Sequence, residues 1–174
     1  MNYFRDLAMS HKDIQHTPPD AAGDNEIGEC RFARWSTDEV VAGLRTRIGD
    51  RALLLEMYET DLKSDSSYDI KQLLKGAFSI VKATEKNNYD QEEAAYCFTE
   101  KIVYEILQQI WANHYGESVN RCSTPFKKFV FDRVNIIPIG PLYQDNYFGW
   151  RVEFEFEAAK KFTISQAPAP GTFN

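Results

Sequence analysis

Residues 124–157 read TPFKKFVFDRVNIIPIGPLYQDNYFGWRVEFEFE, and this stretch decides the fold. In its second half Trp150, Val152, Phe154 and Phe156 alternate with Arg151, Glu153, Glu155 and Glu157. Successive side chains of a strand point to opposite faces, so this alternation marks one buried face and one wet face. In the first half the apolar positions Phe129, Phe131, Val134, Ile136 and Ile137 slip phase near Asp132 and Arg133. Such a slip predicts a bulge or a bend. Pro138, Gly140 and Pro141 are expected to stop that run, and Asp145-Asn146 supplies turn chemistry before the second. The unit from about Thr124 to Ile164 is therefore predicted to be a long antiparallel hairpin.

Upstream lies the strongest helical pattern. Asp90 and Glu93 resemble a capping box, and Ala95, Phe98, Ile102, Ile106 and Ile110 recur at spacings of three and four. Cys97, Tyr104, Leu107 and Trp111 widen the apolar face, and Gly116 ends it. About 25 residues span roughly 38 Å, enough to cross a four-stranded sheet. Before this helix, Ile70 to Ala83 reads as a strand, with Phe78 and Ile80 on one side and Ala77, Ser79 and Val81 on the other. Gly76 within it predicts a bulge or a close backbone approach. Ala52 to Tyr58 is a short apolar run whose length favours a buried strand over a helical continuation that periodicity alone would equally allow, and Asp61 to Asp69 is polar and turn-like.

Nearer the N-terminus, Ser36-Thr37-Asp38-Glu39 is a capping box that opens a helix through Val40, Val41, Leu44 and Ile48, stopped at Gly49. Tyr3 to Ile14 forms a short amphipathic helix, followed by a Pro/Gly/Asp-rich segment. The whole is a single domain, 1–174, with a flexible loop about 15–34 and a flexible tail about 165–174. The predicted class is α+β: an antiparallel sheet of about four strands with helices packed on one face and a long terminal β-hairpin.

Composition narrows the function classes. The chain is 43% hydrophobic and 14% aromatic, enough for a packed core, and its net charge of −6 argues against a nucleic-acid binder as a whole. Cys30, Cys97 and Cys122 have no metal-ligand spacing and read as buried free thiols in a reducing compartment. No apolar run reaches membrane length and no signal peptide opens the chain, so a soluble, cytosol-made protein with no membrane contact is expected. Glu153, Glu155 and Asp132 offer carboxylates that a metal-dependent nuclease would use. Against this, Lys127, Lys128, Arg133 and Arg151 are available as cross-strand partners on an ordinary solvated face. His11, His16 and His114 have no nucleophile at motif spacing, and no phosphate-cradling glycine loop occurs. No enzyme activity, cofactor or metal is expected. Aromatic residues crowd the hairpin turn, as they do at protein interfaces.

Three stretches carry a family resemblance: NYFRDLAMSHKDIQH at the start, the helix from Asp90 to Tyr115 after a strand pair, and the ending VNIIPIGPLYQDNYFGWRVEFEFE. Together the layout resembles the tail terminator or tail-completion (neck) proteins of tailed phages. The resemblance implies a structural virion protein that assembles in the host cytoplasm. It would form a homo-oligomeric, hexameric ring that ends the tail tube and joins it to the head connector. Its partners would be copies of itself, the tail tube protein and the head connector proteins, with DNA passing through the lumen without specific binding. It also implies contacts at Pro18, Pro19, Asp20, Tyr143, Asp145, Tyr147 and Trp150. A head-side connector or stopper (head completion) protein is the alternative within the same class.

Overall fold

The structure, a computed structural model, describes residues 3–17, 31–35, 49–64, 69–115, 129–142 and 146–163. The elements are α1 (Tyr3–Ser10), β1 (Phe32–Trp35), β2 (Arg51–Glu56), β3 (Glu59–Ser64), β4 (Asp69–Ala83), α2 (Tyr89–Tyr115), a 3-10 turn (Phe131–Arg133), β5 (Asn135–Leu142) and β6 (Tyr147–Thr163). The class is α+β. Among the described residues, however, the sheet has six strands, ordered β1-β2-β4-β6-β5, with β3 also paired to β4. It is mixed: β1 runs parallel to β2, and the other pairs are antiparallel.

The two strands beyond the expected four are β1 and β3, and both escaped for physical reasons. β1 begins at Phe32 inside the segment expected to be loop to about residue 34, and four residues are too few to show a period. β3 (ETDLKS) borders the sheet with Glu59, Thr60 and Leu62 exposed, so no buried face marks it as a strand in the sequence. Pro138, Gly140 and Pro141 do not stop the hairpin's first run; they lie within β5, an edge strand, where missing N–H donors are tolerated. The phase slip at Asp132 and Arg133 is the 3-10 turn, a bend that precedes β5. The helix expected from Ser36, most of the 15–34 loop and the tail lie outside the described residues.

Both described helices pack on one face. Leu53 and Leu55 of β2, Phe78 and Ile80 of β4, and Val152, Phe154 and Phe156 of β6 meet Phe4 and Ala8 of α1 and Ile102, Val103, Ile106 and Ile110 of α2. Ile14, beyond the end of α1, is also buried. The α2 face is narrower than expected. Cys97, Tyr104 and Trp111 are exposed, so Cys97 is not a buried thiol. The cap differs too: Asn88 Oδ1 accepts the Gln91 N–H at 3.2 Å, while Gln91 Oε1 accepts the Glu85 N–H at 2.8 Å. The helix thus begins one residue before Asp90, capped by Asn88, while the Gln91 side chain reaches back to Glu85 instead of closing a reciprocal box on Asn88.

One irregularity shapes the sheet. Leu55 pairs with Phe78 and Glu59 with Lys75, so residues 56–58 oppose only 76–77, which makes a bulge. The bulge turns the Tyr58 ring across the bare Cα of Gly76. A β-carbon there would lie 2.6 Å from two Tyr58 ring atoms and 2.9 Å from Phe154 Cζ. Burial pushes the Tyr58 phenol up to about 12. The close approach expected at Gly76 is therefore filled by an aromatic ring. A second approach is closer still. At Gly149 a β-carbon would stand 1.9 Å from the Ile80 carbonyl oxygen, so β6 passes β4 there only because the side chain is absent.

Gly76→Ala is expected to cost about 1–3 kcal/mol in a urea melt, the usual range for overpacking. Tyr58→Ala vacates the same space, so the double variant should be less destabilised than the two single losses added together. Strict additivity of the two losses would show that the ring and the glycine do not meet.

Candidate functional site

The sheet face away from the helices divides into two regions. At one end Ala52, Leu54 and Val81 are buried, with Ala33, Ile139, Leu142 and Tyr147 packed on them. At the other end the alternation of β6 delivers Arg151, Glu153 and Glu155 side by side, and neighbouring strands supply counter-charges. Arg151 donates two hydrogen bonds to Glu56 of β2, Nε to Oε1 at 2.6 Å and Nη2 to Oε2 at 2.7 Å. Its Nη1 also bonds Glu153 Oε1. Glu153 Oε2 accepts from Asn135 Nδ2 of β5 at 3.2 Å. Arg133 of the 3-10 turn pairs with Glu155, and Lys75 of β4 pairs with Asp61 of β3. A shallow cleft of about 370 Å³ runs over this lattice, with Met57 and Gly76 in its wall.

The electrostatics follow from the pairing. The hydrogen bonds from Arg151, and then Asn135, hold the Glu153 carboxyl below its usual range. The Glu56 carboxylate raises the Arg151 guanidinium further, and Asp61 raises Lys75. Two of the three carboxylates offered to a cation, Glu153 and Glu155, are thus occupied by a base. Glu153 and Glu155 are bound to arginines, and Asp132 is exposed in the 3-10 turn. Arg133 and Arg151, two of the four expected counter-charges, fill that role, whereas Lys127 and Lys128 lie outside the described residues. The arrangement suits a rigid, charge-compensated surface better than a metal centre.

Among the residues expected at interfaces, Tyr147 and Trp150 are described, and both have partners within the chain. Tyr147 Oη donates to the Gly49 carbonyl at 3.1 Å. Trp150 Nε1 donates to the Tyr96 carbonyl of α2 at 3.0 Å, and its ring meets the Tyr96 ring edge-on. Each is half-buried, so each keeps an accessible edge. Pro18, Pro19, Asp20, Tyr143 and Asp145 lie outside the described residues. Of the histidines, His16 is buried with Nδ1 accepting the Arg31 backbone N–H at 3.2 Å. His11 has both ring nitrogens engaged, Nδ1 by the Asp13 N–H and Nε2 by Glu105.

Sequence reading missed the bidentate Glu56–Arg151 link, because the partners are 95 positions apart and no periodicity connects them. It also missed exposed Met57 in the wall of this cleft and exposed Leu62 of β3, at 62% each. The available signal was a long apolar residue in a polar strand, at Leu62.

Arg151→Met is expected to cost about 1–2 kcal/mol at neutral pH, a charged hydrogen-bond loss discounted for partial exposure. Glu153 has a depressed folded pKa, so its pairing contributes fully above the unfolded carboxylate value of 4.5 and is lost as pH falls through the folded value. The gap between wild type and variant in urea melts should therefore narrow below about pH 4.5. A gap that stays constant from pH 7 to pH 3 would contradict this picture. Among the described residues no helix is long and apolar enough to cross a membrane. When the chain is compared with known proteins, no family model, no curated protein and no solved structure matches it.

Proposed function

We propose that this protein is a structural, ring-forming subunit of the tail terminator type, which closes a phage tail tube and joins it to the head connector. The observation that carries the reading is the three-stranded extension made by β3, the leading part of β4 and the trailing part of β6. β4 has 15 residues and β6 has 17, well above the usual strand length of about 5–6. Their length carries the sheet beyond the aromatic core, and β3 borders it with a free ladder edge among the described residues. Exposed Leu62 lies on that edge and Met57 at its start. An open edge with large apolar side chains is a surface that a neighbouring subunit would cover. The compensated charges of the adjoining face fit a wall whose work is mechanical, and the negative net charge fits a lumen that DNA passes without adhering.

Light scattering on the purified chain, alone and mixed with tail tube protein, tests the reading. A discrete species near six subunits is expected, either free or on the tube. Leu62→Asp should abolish it while leaving the far-ultraviolet circular dichroism of the monomer unchanged. Association with a head-side connector instead of the tube would move the protein to the head side of the neck. A monomer that joins neither partner would overturn the reading.

A further inference from the structure

In the proposed ring the β3 edge must be covered by something, and the residues that follow β6 have the backbone chemistry to cover it. Ser64 at the end of β3 pairs with Ile70, and Thr163 at the end of β6 pairs with Asp69. Both strands run antiparallel to β4, so they run parallel to each other and end together at the tip of the extension. Residues 164–174, ISQAPAPGTFN, lie outside the described residues and start at this tip. Running back along its own β3 would require the chain to reverse there. Ile164 to Ala167 contains no Gly, Pro, Asn or Asp to make such a turn, so the path from the tip leads outward, to a neighbouring copy.

The spacing of the prolines decides what this segment can do. In an extended strand the N–H groups of residues i and i+2 point to the same edge. Pro168 and Pro170 are two apart, so both missing donors fall on one edge. Ala167, Ala169, Gly171 and Phe173 keep their donors on the other edge. A strand of this kind pairs with a sheet through its complete edge and ends the sheet with its blunted one. β3 offers the matching surface. It contains no proline, no strand pairs with its outer edge among the described residues, and Glu59, Thr60 and Leu62 are exposed along it.

We propose that residues 166–173 of one copy add as an extra strand to the β3 edge of the next, a contact that rests on the ring reading and names its partner. Eight extended residues reach about 26 Å, and the 6 residues of β3 about 20 Å, so the segment spans the edge. Main-chain hydrogen bonds supply the affinity of such strand addition. The contact is heterologous, tail to edge, and repeats from copy to copy until the ring closes. Ordering the segment costs conformational entropy, which makes a single contact weak.

A fluorophore-labelled synthetic peptide of residues 164–174 tests the contact by anisotropy. It is titrated with the full chain carrying Ala167→Pro and Ala169→Pro, whose own segment cannot pair. Saturable binding is expected, weakened at least tenfold when that chain also carries Leu62→Asp or when the peptide carries the same two proline substitutions. A peptide with Pro168→Ala and Pro170→Ala should bind at least as well as the native one, because those positions face away from β3. No binding of the native peptide, or equal binding of the peptide with Ala167→Pro and Ala169→Pro, would overturn the proposal. In light scattering the full-length double-proline variant should remain monomeric where the wild type assembles. A six-subunit species that persists in this variant would overturn the contact and leave the ring reading standing. Peptide binding with no discrete wild-type oligomer would uphold the contact and overturn the closed ring.

Discussion

The packing of the Phe154 ring is the interaction on which the rest of this structure depends. Its centroid lies 5.7 Å from Phe4 of α1, 6.2 Å from Tyr58 of the bulge and 6.1 Å from Phe78 of β4. It lies 5.5 Å from Phe129 before the 3-10 turn and 6.1 Å from Phe156 two residues on. One fully buried ring therefore meets five others, four of them from separate parts of the chain and one from its own strand. Aromatic pairs at these separations contribute about 0.5–1.5 kcal/mol beyond their buried area. The bulge and Gly76 are consequences of this cluster: Tyr58 reaches Phe154 only because an extra residue turns it inward and no side chain stands at position 76. The order of the central strands follows as well, since β4 and β6 must lie side by side for Phe78, Phe154 and Phe156 to share a core.

Where burial was one-sided, the fold was legible in the sequence. The alternation from Trp150 to Glu157 gave the strand and its correct faces, and the 3.6-residue recurrence of Ala95, Ile102, Ile106 and Ile110 gave α2 and its core-facing stripe. Legibility failed at edges and at size. β3 is polar on a rim, β1 has only four residues, and β5 contains two prolines that punctuate most strands but not a border strand. Cys97, Tyr104 and Trp111 show the converse limit. Apolar character widened the expected face, but the sheet is reached by a narrower arc of helix, and Trp111 instead lies against Phe131 at 4.6 Å. Site geometry was the least legible level. Glu56 and Arg151 meet only after the sheet order is set.

The polar sheet face carries a physical lesson of its own. A row of glutamates on one strand reads as a cation site until the neighbouring strands are known. Here β2, β5 and the 3-10 turn deliver Glu56, Asn135 and Arg133 so that the row becomes an alternating lattice centred on Arg151. A planar guanidinium held in a fork by Glu56 and bonded to Glu153 is fixed in orientation, which a lysine would not achieve. The result is a stiff surface of opposed charges whose separate pairs contribute modestly and whose geometry is nonetheless set.

Edge chemistry then constrains how copies of this chain would meet in the proposed ring. On one side the sheet ends in β5, where Pro138 and Pro141 withhold two backbone donors, and continuous pairing with another strand is disfavoured there. On the other side, among the described residues, β1 and β3 border the sheet, and β3 contains no proline and carries the exposed Leu62. The two sides are therefore unlike, and a symmetric edge-to-edge dimer through β5 is the least favoured contact. A closed ring requires a heterologous interface, in which one surface of a subunit meets a different surface of the next. An asymmetric sheet, pairing-competent along β3 and blunted along β5, meets that requirement, because β3 has an incentive to dock while β5 cannot compete with it for the same partner.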